Sequence, residues 1–146
     1  MKTASNSAWD LCEIDNWLNE ASIPCRFSCV TDDGYPHVTS LWFLYRSGTL
    51  FFSVQENMRL LKWVNANPRC GFEIAGDRPP YRGVRGHGET SVVRAEELPV
   101  LDNLLSRYLG DQQPELSAWL KSRTDTERTM RLDIDWVTSW DYSARM

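Results

Sequence analysis

Residues 32–43 read "DDGYPHVTSLWF", and the fold turns on this stretch. Asp33-Gly34 has the positive-φ chemistry of a hairpin turn, and Pro36 can open a strand without breaking a ladder. From Pro36 to Tyr45 the chain reads as one strand, with side chains alternating between faces. Val38, Ser40, Trp42 and Leu44 then share one face; His37, Thr39, Leu41, Phe43 and Tyr45 share the other. A half-buried strand has one polar face, yet here both carry large apolar groups toward the C-terminal end. One face can take the core. The other needs a further partner.

On either side lie more short strands: "CRFSCVT" (25–31), "TLFFSV" (49–54) after the turn "RSG", "RCGFEIA" (69–75) and a glycine-interrupted "VRGHGETSVVR" (84–94). "TMRLDIDWVTSWDY" (129–142) alternates as well, with Leu132, Ile134 and Trp136 on one side. Helical spacing appears in "SAWDLCEIDNWLNEAS" (7–22), ended by Pro24, and in "EELPVLDNLLSRYLG" (96–110) and "PELSAWLKS" (114–122). "NMRLLKWVNA" (57–66) is a short helix with Asn57 as its N-cap and Asn67-Pro68 as its stop. Short strands joined by turns, without the βαβα alternation of a doubly wound sheet, predict a mainly β protein. Residues 1–146 form one domain, an antiparallel β-barrel with peripheral helices.

Composition narrows the function. A formal charge of −4, only three lysines (Lys2, Lys62, Lys121) and no basic run argue against nucleic-acid binding. The longest apolar run, "LWFLY", is too short for a bilayer span, and "MKTASNSAWD" has no hydrophobic signal core. A cytoplasmic location follows as an expectation. Four cysteines without C-x-x-C read as reduced thiols, Cys25 and Cys29 sharing a buried face with Phe27. Two histidines offer little to a metal.

Chemistry has two candidate places. A strand end, a polar loop and a helix start follow one another in "FFSVQENMRLLK", where free amides favour an anion. Arg59 and Lys62, three apart, can share that helix face, and Ser53 offers a hydroxyl; a solvated face is the competing reading. "PPYRGVRGHGE" (79–89) sets Arg82 and Arg85 among Gly83, Gly86 and Gly88. No helix follows these glycines, so a bending barrel strand is preferred over a phosphate cradle. His37 and His87 read as surface residues, and Asp133, Asp135 and Asp141 as a solvated strand face. No nucleophile stands beside a base, so redox chemistry would have to come from a cofactor.

The order "DDGYPHVTSLWFLY…SGTLFFSV…NMRLLKWVNANPRCGFEI…PPYRGVRGHGETSVV…VTSWDY" resembles the pyridoxamine 5'-phosphate oxidase-like family of FMN-binding split barrels. The resemblance implies a six-stranded split barrel, a homodimer with two flavin sites at its interface, and a second face of strand 36–45, either that of Thr39, Leu41 and Phe43 or that of Ser40 and Trp42, meeting the flavin ring and the partner subunit. It implies that Thr39, Ser40, Leu41 and Trp42 line the ring, that Ser53 and Val54 meet its polar edge or ribityl chain, and that Arg59 holds the phosphate. Arg82 and Arg85 are secondary positions. Where members show S-R-K, this chain has Met58-Arg59-Leu60, with Lys62 one turn along; the R-x-H substrate signature of the oxidase proper is missing from "WDYSARM" (140–146). The implied activity is that of an FMN-dependent oxidoreductase. A storage or sensing protein for flavin, deazaflavin or haem is the alternative.

Overall fold

The computed structural model describes residues 1–146. Its strands are β1 (Lys2–Thr3), β2 (Cys25–Val30), β3 (Pro36–Leu41), β4 (Leu44–Arg46), β5 (Thr49–Gln55), β6 (Arg69–Ala75), β7 (Arg82–Arg94) and β8 (Glu127–Asp141). Helices α1 (Leu11–Glu20), α2 (Arg59–Ala66), α3 (Leu101–Tyr108) and α4 (Pro114–Lys121) lie around them. The sheet order is β3-β2-β6-β7-β8-β5-β4, antiparallel throughout except for β1, which pairs parallel with β8. Because β3 runs on into β4, the two outer strands of this order are joined by the chain itself, and the sheet closes as a split barrel. The β3–β4 pair counts as one interrupted run, which leaves six long strands and the short β1.

The interruption corrects the single strand expected over 36–45. Leu41 is the last residue paired to β2, opposite Cys25, and Leu44 is the first paired to β5, opposite Phe51. Between them the chain crosses from one sheet edge to the other, and the alternation is lost: Phe43, Leu44 and Tyr45 are all buried in succession. Phe43 and Tyr45 enter the main core, whereas Leu44 joins Val100, just before α3, and Leu104 of α3 in a second small cluster. Along β3 itself the alternation holds. His37, Thr39 and Leu41 are half-buried on the core side, while Val38 is 62% exposed on the other.

Inward residues of β2, β5, β6 and β8 fill the barrel, among them Phe27, Phe52, Phe72 and Met130. Ile14 and Leu18 of α1 and Leu60, Leu61 and Val64 of α2 close its ends. α1 starts later than expected because residues 7–10 have other work. Asp10 forms a reciprocal capping box with Glu13, and Ser7 hydrogen-bonds Ser139 Oγ at 2.8 Å. α3 likewise begins only at Leu101. A second correction concerns β8. Gly88 pairs with Ile134 but His87 with Trp136, so Asp135 is an extra residue and a bulge. Beyond it the faces exchange: Val137 takes the core position and Trp136 turns outward, stacked on His87 at 5.4 Å, so it does not share a side with Leu132 and Ile134. No helix is long and apolar enough to cross a membrane.

Cys25, Cys29 and Cys70 are buried free thiols and Cys12 is exposed. Burial pushes the Cys29 thiol up to about 11, and Cys70 moves the same way for the same reason. The reactive species is the thiolate, so raised values and burial both suppress reaction. A disulfide-exchange reagent at pH 8 is expected to titrate one thiol per native chain and four in denaturant. Since the folded state holds these protons more tightly than the unfolded one, stability is full below the ordinary thiol value of 9.0 and declines as pH rises toward about 11.

Candidate functional site

The expected site residues separate into four neighbourhoods. Arg59 and Lys62 line an open cleft of about 400 Å³ with Asp32, Asp33 and Trp63. The hairpin turn supplies the acids: Gly34 has φ 86°, and Thr31 N–H donates to Tyr35 O at 2.9 Å, which folds Asp32 and Asp33 over toward α2. Lys62 is held by Asp32 at 2.5 Å. The Thr31 hydroxyl, donating to Asp33, holds that carboxyl below the usual range. Arg59 is exposed, and its side chain makes no hydrogen bond or ion pair with the rest of the chain. His37 packs on Trp63, ring centroids 4.8 Å apart, so the core-side face of β3 is continuous with this cleft.

The start of α2 is built differently from that of α1. Its N-cap is Met58 rather than the expected Asn57; no side chain caps the helix and no acid stands in the first turn. Orphan amide groups and the positive end of the helix dipole therefore meet no capping side chain and no acid of α2 itself, the acids of the cleft being Asp32 and Asp33 of the hairpin turn. This is the chemistry of an anion site.

Thr39–Leu41 end β3, and Trp42 lies in the break, where α3 reaches down. Trp42 stacks on Tyr108 with centroids 5.0 Å apart and planes within 6°. Phe43 N–H donates to Tyr108 Oη at 3.2 Å, and the phenol donates to Ile23 O at 3.1 Å. Arg107 donates to Leu18 O at 2.9 Å and lies over the Phe43 ring. One turn of α3 thus satisfies the Phe43 amide at the break together with carbonyls at the end of α1 and in the loop before β2, a set of contacts between residues too far apart in sequence for motif reading to find. Tyr108→Phe keeps the stack and removes both hydrogen bonds. It is expected to cost about 1 kcal/mol of unfolding free energy in a denaturant titration.

Ser53 and Val54 part company. Val54 points into the core, leaving only its backbone for a ligand. Ser53 faces outward into a cavity of about 360 Å³ under α3 and α4, where it donates to the buried Glu127 carboxylate. Arg82 and Arg85, three apart on a strand, project from opposite faces: Arg82 over Trp17 and Arg85 over Trp140, each 5.4 Å from the ring. The glycines beside them are packing positions, since a Cβ on Gly86 would lie 2.3 Å from Trp136 O. Arg85 and His87 share the outward sheet face with Val38, Trp136 and Trp140, and no helix covers it. Here is the second face of β3.

Comparison with known proteins agrees with this architecture. The chain superposes on a conserved hypothetical protein from Mycobacterium tuberculosis with a TM-score of 0.76 and 20% identity, over 100% of this chain and 94% of that one. An F420 reductase matches with a TM-score of 0.69 and 20% identity, over 83% and 93%. A FAD-binding protein from Mesorhizobium loti matches with a TM-score of 0.65 and 18% identity, over 90% and 94%. No curated protein matches the chain. The model of the pyridoxamine 5'-phosphate oxidase family matches residues 13–141, nearly the whole barrel, and the chain belongs to that family.

Proposed function

We propose that this chain binds a flavin-type cofactor, FMN first among them, and serves as an oxidoreductase. The observation that carries the reading is the start of α2: an uncapped helix N-terminus beside Arg59, a cation with no anionic partner, in a cleft open to solvent. These residues fit the phosphate of a mononucleotide. Arg59 and the first amides of α2 would hold it, Trp63 and His37 would flank it, and the backbone of Thr39–Trp42 would border the ring. Fold neighbours named for FAD and F420 support a flavin or deazaflavin over an unrelated ligand. A bound flavin supplies hydride or electron transfer; the chain's own residues orient it and exclude water.

The same reading includes a homodimer. The outward face of β2, β3, β6, β7 and β8 carries no helix and sets exposed Val38 and half-buried Trp136 and Trp140 among Arg26, Glu73, Arg85 and His87, a mixed surface on which a second copy could dock. A second copy there would complete the surroundings of β3. Purified protein incubated with FMN and desalted should keep flavin absorption bands, and light scattering should report a dimer. Oxidation of reduced nicotinamide by the loaded protein then separates an enzyme from a storage protein. A Soret band, or a protein that stays colourless, overturns the flavin reading.

A further inference from the structure

The cavity under α3 and α4 is not accounted for by the α2 cleft. Its floor is Ser53, Glu127 and Thr129 from β5 and β8, its wall Pro99–Asn103, and its far side Lys121 and Thr124. Glu127 is only 4% exposed, and both carboxylate oxygens are engaged by neutral donors alone: the Ser53 hydroxyl, and Gln55 Nε2 at 3.1 Å. A buried carboxylate without a cation is costly, and nearby cations are committed elsewhere. Lys121 pairs with Asp102 at 2.8 Å, and Arg128 with Glu56 and with the Glu127 backbone carbonyl.

Charge, more than the hydrogen-bond count, decides the class of ligand. The hydroxyls of Thr124 and Thr129 already donate to Lys121 O and Leu98 O. Unused acceptors are the spare lone pairs of Glu127 and the second oxygen of Asp102, while the Asn103 amide and the remaining Lys121 N–H groups still offer donors. With the Asp102–Lys121 pair neutral, Glu127 leaves the lining one unit negative. Ala95, Pro99, Val100 and Leu101 add an apolar side. The volume falls at the lower end of the range of small-molecule sites, about 300–1,000 Å³.

We propose that this cavity is a binding site for a small organic cation, an amine or amidinium with a short apolar body, anchored on Glu127. The inference does not depend on the flavin. Benzamidine and its neutral near-isostere benzamide are the probes, read by calorimetric titration and thermal melting of the full chain. Benzamidine should bind and raise the melting temperature while benzamide does neither. Glu127→Gln, which keeps an acceptor for Ser53 but removes the charge, should weaken benzamidine at least about tenfold. Ala95→Phe, which fills the wall without touching the carboxylate, should abolish binding and decides the matter if Glu127→Gln does not fold. Equal binding of the two probes, unchanged affinity in Glu127→Gln, or no binding of benzamidine overturns the proposal. Displacement of benzamidine by FMN would also overturn it, by making the cavity part of the flavin site. Failure of FMN to bind leaves the benzamidine result unaffected.

Discussion

Gly88→Ala is expected to destabilise the protein by about 3 kcal/mol or more, a large part of the 5–15 kcal/mol typical of a domain. A Cβ built there lies 1.9 Å from Asp133 O and 2.8 Å from Asp133 C, both backbone atoms of the adjoining strand. Neither side can give way cheaply. β7 is paired to β6 through Cys70 and to β8 through Ile134 at this residue, and the β8 bulge begins one step away. Gly76→Ala is the control, because a Cβ there meets nothing within 4 Å. Urea titrations of the two variants should differ by several kcal/mol. If Gly88→Ala lies within 1 kcal/mol of the parent, the bulge is more yielding than its contacts indicate.

Arg59→Ala should weaken FMN binding roughly ten- to a hundredfold, the range for losing a charge-assisted hydrogen bond of about 1.5–3 kcal/mol. Stability should hardly change, since Arg59 is exposed and unpaired in the free chain. The opposite variant is as informative. Asp32→Asn releases Lys62, now neutralised at 2.5 Å, and removes a negative charge from the cleft, so affinity should rise severalfold. Both effects should shrink at high salt. Fluorescence quenching of free FMN gives both affinities. Parallel loss in the two variants would place the phosphate elsewhere.

Local chemistry was legible where a segment answers to its own alternation. β6 falls where the pattern of "RCGFEIA" puts it, and the buried face Cys25–Phe27–Cys29 follows from spacing two. What could not be read depends on distant partners. The break at Trp42–Phe43 leaves no mark in the residues, because the crossing from β2 to β5 and the phenol of Tyr108 create it. The exchange of faces at Asp135 is set by the register of β8 against β7, which shifts between His87 and Gly88. Arg59 and Lys62 were visible as a basic helix start, whereas Asp32 belongs to a turn thirty residues away and Met58, not Asn57, occupies the cap. Ser53 was marked by its place at a strand end, but only the α3–α4 roof turns its outward face into a cavity.

β8 pairs with β1, β5 and β7, three strands from widely separated parts of the chain. Thr49 meets Asp133, 84 positions further along the chain. During synthesis Leu50, Phe52 and Val54 therefore emerge long before the strand that covers them, and no earlier hairpin can substitute for it. Such non-local closure is slow and leaves apolar edges open to wrong partners. The nascent chain is expected to need shielding on the ribosome until residue 141 is free, and to respond to translation speed between α2 and β8 more than to the stability of the finished barrel.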